Sequence, residues 1–407
     1  MGSRLGIILV PLIAADALAS LPLGATPYLG DMTQFLVSEH AVIRGQNPYA
    51  FLDTGLIFGQ PTLGTNLNPP VSLLLFAPLA GMPAFTAIRF WACLTLLIYG
   101  LCVAGLLLRY RQHLSVNRVL VALALGGFWF TVVFGQVYVI IAALAIGAWL
   151  LLDRKSDLAA GILIGVVVAM KPNFAVWLAL LWLAGHRKAA SAGIASAAAL
   201  TLLPALVYGP GVYLEWYRAQ GVEAPMIGWW PHNGSLYGIV ARIGAGSLAY
   251  PLIAAFLLGV AWSVWRSRPS APVVSAVALA ASLLASPLTW MGYDVFLLPV
   301  LLSRRWSPLF RATLAFLLVP AWLTWDLAPG PAWGIPLVSI VSSAPLLLIF
   351  VAVMKEMRPS EGADPAGLAA PVPGRWHQRE EPEGWIGIAA GMHRAAMCRL
   401  NLPAGRL

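Results

Sequence analysis

Uncharged apolar runs recur through the first 354 residues of this chain, and no water-soluble core could enclose all of them. A helix needs roughly 20 apolar residues to cross about 30 Å of hydrocarbon. About twelve runs approach or reach that length: 5–23, 85–108, 119–134, 136–152, 158–170, 173–185, 190–208, 247–265, 271–287, 293–303, 309–325 and 333–354. Composition agrees, because 60% hydrophobic and 10% charged residues over 407 positions is outside the range of soluble domains. The expected fold is an all-α integral membrane protein with about 12 transmembrane helices.

Charge gives the orientation. With a cytoplasmic N-terminus, 15 of the 25 basic residues fall in cytoplasmic connections, Arg109, Arg154, Lys155, Arg187, Lys188 and Arg304 among them. Only five, Arg44, Arg89, Lys171, Arg218 and Arg242, fall outside, and the rest lie in the C-terminal tail. Cytoplasmic loops collect Lys and Arg, so the bias supports this topology. The net charge of +9 is then a property of inner loops rather than a nucleic-acid surface, which excludes nucleic acid as a partner. Cys93, Cys102 and Cys398 have neither the pairing nor the spacing of disulfides or a zinc site. Cleavage of a signal peptide near Ala17-Leu18-Ala19 would leave an odd number of spans and invert the basic loops.

The loops are unequal. Inner connections such as 153–157 and 185–188 are short and basic, whereas 25–84 and 209–246 are long, outward and rich in Trp, Tyr, Pro, Gly and Asn. Chemistry is therefore expected at the outer face. Val71 to Met82 is apolar but too short to span, which suits a re-entrant or interfacial helix flooring a cavity. From residue 355 onward Pro, Gly and charge alternate without period, so residues 1–354 read as the membrane domain and 355–407 as a disordered cytoplasmic tail.

Polar clusters in the outer segments each have a chemical and a structural reading. Asp31, followed three residues later by Gln34, is either an acid at the membrane surface or the start of a capping box. The segments Asn47-Pro48-Tyr49 and Asn68-Pro69-Pro70 read as turns carrying amides and an aromatic ring. Trp229 to Ser235 offers indole faces for a sugar with His232 and Asn233 as donors, or else part of an aromatic belt. Lys171 stands between two spans with almost no loop. An ammonium at membrane depth costs about 2.5–3.5 kcal/mol on insertion scales, so it needs either a phosphate partner or a route to snorkel. Ser286 to Asp294 breaks two spans and supplies Trp290, Tyr293 and Asp294, the last a possible helix cap.

Taken in order, Asp31, Gly45-Gln46-Asn47-Pro48-Tyr49, Asn68-Pro69-Pro70, Gly135-Gln136, Lys171-Pro172, Asn233-Gly234-Ser235 and Ser286-Pro287-Leu288-Thr289-Trp290 resemble the polytopic glycosyltransferases of family 87, of the GT-C superfamily. The resemblance covers about residues 5–354 and implies a multi-pass cell-membrane enzyme. Such an enzyme moves a hexose, mannose by family expectation, from a polyprenyl phosphate to a hydroxyl of a glycolipid or glycan, with inversion. It implies Asp31 as catalytic base; for such a reaction Lys171 and His232 are expected at the donor phosphate, and Gln34, Asn47, Tyr49, Asn68, Gln136, Asn233, Trp290, Tyr293 and Asp294 at substrate. One departure is that Met291 to Asp294 stands where relatives often carry His after the Ser-Pro-x-x-Trp segment. No cofactor is expected, since no Gly-rich phosphate loop or nucleotide domain is present; Asp31 and Asp294 remain able to share a divalent ion with water.

The rival expectation is a secondary transporter of a lipid or sugar-related substrate. It calls for matched halves and midplane ionisable groups, whereas here only Asp16 lies well inside a span. A non-catalytic lipid scaffold is the third, and it would leave Asp31 and Lys171 dispensable.

Overall fold

Proline and glycine end several of the helices of this chain. The computed structural model describes residues 2–20, 30–53, 63–328, 331 and 333–357. Its first helices are α1 (Gly2–Ser20), α2 (Gly30–Ile43), α3 (Val71–Phe76), α4 (Ala84–Arg109), α5 (Val116–Leu123) and α6 (Gly126–Phe134). There follow α7 (Tyr138–Asp153), α8 (Asp157–Met170), α9 (Ala175–Leu183), α10 (Arg187–Tyr208), α11 (Gly211–Ile227) and α12 (Leu236–Arg242). The last six are α13 (Ala249–Ser267), α14 (Ala271–Ala285), α15 (Leu298–Leu302), α16 (Pro308–Leu317), α17 (Ala321–Leu327) and α18 (Gly334–Glu356).

Each apolar run marked in the sequence is helical over most of its length, and the molecule is an all-helical membrane protein. Among the described residues, full crossing length is reached by five segments: Ala84–Arg109, Val116–Phe134, Arg187–Tyr208, Gly246–Ser267 and Gly334–Glu356. The pair α16 and α17 adds a sixth if its 66° bend is taken as one broken span. Other runs, such as Tyr138–Asp153 and Asp157–Met170, form shorter apolar helices. Pro or Gly ends several of them. Lys171 has φ −143° and ψ 90°, the extended backbone that Pro172 imposes on its predecessor, so α8 ends at Met170. Ser286, with φ −64° and ψ 144°, ends α14 before Pro287 in the same way. Gly135 closes α6 at φ 64°, a left-handed position that glycine takes without a Cβ penalty.

The packing follows small residues. Helix α14 is buried nearly all round, as an apolar helix without a polar stripe must be. Helices α8 and α10 approach so closely that a Cβ on Gly165 would lie 2.5 Å from the Gly193 carbonyl oxygen. Small residues permit such contact where apolar lipid supplies no hydrophobic drive between helices. In the segment between α1 and α4, Leu52–Asp53 pairs antiparallel with Leu63–Gly64. The short apolar stretch after Pro70 is helical as α3 and continues as a 3-10 turn over Ala77–Leu79. Phe76 of α3 stacks on Phe35 of α2 at 4.1 Å and leans on Trp91 of α4 at 4.7 Å, which fixes α2 against the bundle. The described residues fall in one compact unit, and the tail expected to be disordered lies outside them from residue 358 on.

Candidate active site

The helix breaks meet around a cavity of about 770 Å³, inside the range of small-molecule sites. Asp31 and Gln34 enter it from α2, Asn68 from the turn before α3, Gln136 from the α6–α7 break and Lys171 from the α8–α9 break. Trp290 and Tyr293 enter from the segment after α14. Seven of the residues singled out in the sequence, from five separate stretches, thus share one wall.

Asp31 is the second residue of α2, and its Oδ2 accepts a hydrogen bond from Gln136 Nε2. Its carboxylate therefore reaches across to the break between α6 and α7. Burial raises the Asp31 carboxyl to about 6, against the opposing pull of the Gln136 hydrogen bond and the Lys171 charge. The unperturbed value near 3.9 that the residue type suggests is too low here. A carboxylate of this strength is still mostly ionised at neutral pH and is a better proton acceptor than an exposed one. Gln136 Oε1 and Asn68 Oδ1 are buried without a hydrogen-bond partner. Buried acceptors are ordinarily satisfied, so two orphans on one cavity wall suit a ligand rich in hydroxyls.

Part of this lining is aromatic. Trp230 packs edge-on against Trp290 at 6.0 Å and against Trp325 at 6.1 Å, and all three line the cavity. Trp325 arrives because Pro320 breaks the run 309–325 and turns α17 away from α16. Helix α11 closes another side: Trp216 Nε1 and Gln220 Nε2 both donate to the Leu67 carbonyl oxygen beside Asn68. Trp216, Gln220, Trp325 and Tyr138 were not singled out in the sequence. Tyr138 stands two residues beyond Gln136, and the Pro320 break was the available signal for Trp325. Nothing in the pattern of α11 marked Trp216 or Gln220.

Five expected site residues are not on the cavity wall. Asn47 Oδ1 accepts from the Tyr49 backbone at 2.7 Å, an Asx turn of the kind such residues favour. Tyr49 is buried in a separate cluster with Leu73, Val212 and Ala219, its hydroxyl donating to the Asn68 carbonyl oxygen at 3.1 Å. Asn233 is wholly engaged as a pin: Nδ2 donates to the Gly228 and Pro287 carbonyl oxygens, and Oδ1 accepts from Ser235 and Thr289. His232 is 1% exposed and stacks on Trp325 at 4.3 Å. Burial lowers its imidazole to about 4, so it is neutral at pH 7 and brings no charge to a phosphate. Asp294 is buried against Gly127 rather than facing the cavity, and it lies within the turn Met291–Leu297 rather than capping it. Among the described residues no group of three His, Cys, Asp or Glu is placed to hold a metal ion, and the shared ion imagined for Asp31 and Asp294 has only Asp31 on the wall.

Comparison with known proteins meets this geometry at its centre. The family model described as glycosyltransferase family 87 matches residues 66–287, which include Asn68, Gln136, Lys171 and the Trp230 loop. The chain belongs to glycosyltransferase family 87. It is a glycosyltransferase, and the transporter and scaffold expectations are set aside on that ground. Among relatives is the polyprenol-phosphate-mannose-dependent alpha-(1-2)-phosphatidylinositol mannoside mannosyltransferase of Mycobacterium tuberculosis, 26% identical over 377 residues, which cover 81% of this chain and 86% of that protein. The Mycolicibacterium smegmatis protein of the same name is 26% identical over 352 residues, covering 75% and 78%. No solved structure matches the chain significantly.

Proposed function

We propose that this family 87 enzyme transfers mannose from a polyprenyl phosphate to a hydroxyl of a lipid-anchored glycan, at the non-cytoplasmic face and with inversion. The observation that carries the reading is one cavity holding the Asp31 carboxylate and the Lys171 ammonium together with the Gln136 and Asn68 amides and three indoles. Asp31 takes the proton of the acceptor hydroxyl as its oxygen attacks the anomeric carbon. The bond from that carbon to the phosphate oxygen breaks, and polyprenyl phosphate leaves with charge that Lys171 stabilises. One displacement on the face opposite the leaving group inverts the anomeric centre. Gln136 holds Asp31 in place, and Gln136 Oε1 and Asn68 Oδ1 accept from sugar hydroxyls.

The sidedness belongs to the same proposal: both ends of the membrane domain inside, about 12 crossings counting the short and broken helices, and the helix breaks at the outer surface. Irregular backbone at membrane depth is tolerated where it lines a cavity, which supports placing the breaks there. Two measurements test the reading. Purified protein in nanodiscs should move label from polyprenyl-phosphate mannose to membrane glycolipid with release of polyprenyl phosphate, and a nucleotide-sugar donor used in preference would overturn it. Cysteines introduced near Gly221 should react with an impermeant thiol reagent in intact cells while one at Arg187 stays silent; the reverse pattern separates the cavity from an outer-leaflet donor.

A further inference from the structure

Lys171 is held at the cavity without a salt bridge. The ion pairs among the described residues are Arg109–Asp153 and Arg304–Glu356, both remote from it in sequence and in side-chain partners. Its Nζ lies instead 5.0 Å from the centre of the Tyr138 ring and 5.3 Å from that of Tyr293. The two rings touch, with centroids 4.4 Å apart and planes tilted by 41°. They arrive from different breaks, Tyr138 on the first turn of α7 and Tyr293 in the turn after Trp290. Their approach needs Gly292, where a Cβ would lie 2.6 Å from the Tyr138 ring. Tyr293 leans in turn on Phe296 at 5.9 Å, and Phe296 on Phe174 at 4.7 Å, which returns the support to the residues just beyond Lys171.

A ring face attracts a cation through its quadrupole without neutralising it. A carboxylate in the same place would cancel the charge that an incoming phosphate needs. The lysine stem is otherwise free to rotate, and rotamer freedom lost on binding weakens affinity. Two faces meeting at an angle restrict the ammonium before the ligand arrives. We propose that Tyr138 and Tyr293 are positioning residues: together they clamp the Lys171 ammonium at the cavity wall beside Asp31, ready for a phosphate monoester or diester carrying a lipid chain. The proposal rests on the reading of Lys171 given under the proposed function.

The clamp also acts on Asp31, whose carboxyl the Lys171 charge pulls downward. Other titratable groups on the cavity wall are Tyr138, Tyr217 and Tyr293; Glu39 lies two turns along the same helix as Asp31, near Tyr49 and Tyr208, and Asp294 is buried behind the Tyr293 turn. Releasing Lys171 removes the downward pull, so the acid limb of activity moves to higher pH.

The test is binding of decaprenyl phosphate to the full chain in nanodiscs, with Lys171→Met, Tyr138→Leu, Tyr293→Leu, the two Tyr→Phe variants and the Lys171→Met/Tyr293→Leu pair. Each Leu variant should weaken binding roughly three- to thirtyfold, the range set by a cation–π contact, and each Phe variant should retain most of it because the face survives. In the Lys171→Met background Tyr293→Leu should cost nothing further. Lys171→Met binding like wild type would overturn the reading of Lys171 and the clamp with it. Weakened Lys171→Met with wild-type Leu variants, equal losses in the Leu and Phe variants, or additive losses in the double variant would each overturn the clamp alone. Should the Leu variants fail to fold, Tyr→Met variants carry the same comparison, and the Phe variants set the folded baseline.

Discussion

Replacing Asp31 by Asn separates the two things a carboxylate can do at the start of α2. Asp31 is the second helical residue, and Asn has nearly the same helix propensity. The Asn carbonyl can still accept from Gln136 Nε2, so the cross-helix bond survives. Loss of a negative charge in the first turn removes about 0.3–1 kcal/mol of favourable interaction with the helix dipole. Relief of the burial that raises the Asp31 carboxyl to about 6 works in the opposite direction. Folding and insertion should therefore change by no more than about 1 kcal/mol. Proton acceptance is lost outright, however, and a general base contributes about 10²–10⁴ in rate, or roughly 3–5 kcal/mol of barrier. Label transfer from polyprenyl-phosphate mannose by the purified variant, beside its melting temperature and its affinity for decaprenyl phosphate, reads both terms. A variant that folds, binds and still turns over within a few-fold of wild type would refute Asp31 as the base.

The other expectations follow from neighbouring groups. Because the Asp31 carboxyl is raised to about 6 and only its ionised form accepts a proton, kcat should fall as pH drops below 6, by roughly tenfold per unit, and a flat profile from pH 8 to 5 would contradict that role. Asn233→Ala strips four hydrogen bonds, two within the Trp230 loop and two that join it to the Ser286–Trp290 segment; each buried group left unpaired costs about 1–3 kcal/mol, so the variant should melt well below wild type, whereas an unchanged melting curve would deny the pin. Glu39, buried on α2, has its carboxyl raised to about 8 from an ordinary 4.5. A raised acid stabilises the fold fully below the unfolded value and loses that contribution as pH climbs through the folded one, so between pH 6 and 8, where Asp31 is already ionised, wild type should lose more thermal stability than Glu39→Gln.

The sequence by itself determined the class of molecule and the places where its helices break. Apolar runs and the scarcity of charge dictate membrane helices, because bilayer hydrocarbon leaves the backbone no partner but itself. Pro172, Pro287 and Gly135 mark where three of those helices stop, since pre-proline and left-handed backbones are local matters of sterics. Asp31, Asn68, Lys171, Trp290 and Tyr293 were legible for a related reason, since a polar or aromatic residue at the edge of an apolar run stands out, whereas Gln136 was marked only by the family resemblance. Only tertiary structure decided which of the polar residues at those breaks face a shared space. Asn47 and Asn233 look like ligands in the sequence, yet the Asn47 carbonyl oxygen is taken by the Tyr49 backbone and the whole Asn233 amide by the backbone around it. His232 looks like a phosphate ligand, but burial behind Trp325 keeps it neutral and off the wall. In their place the fold brings Trp216, Gln220, Trp325 and Tyr138, residues without local distinction. Local sterics act between neighbours in the chain and can be read there, whereas a side chain's last hydrogen bond or ring contact depends on segments a hundred residues away that only packing brings within reach.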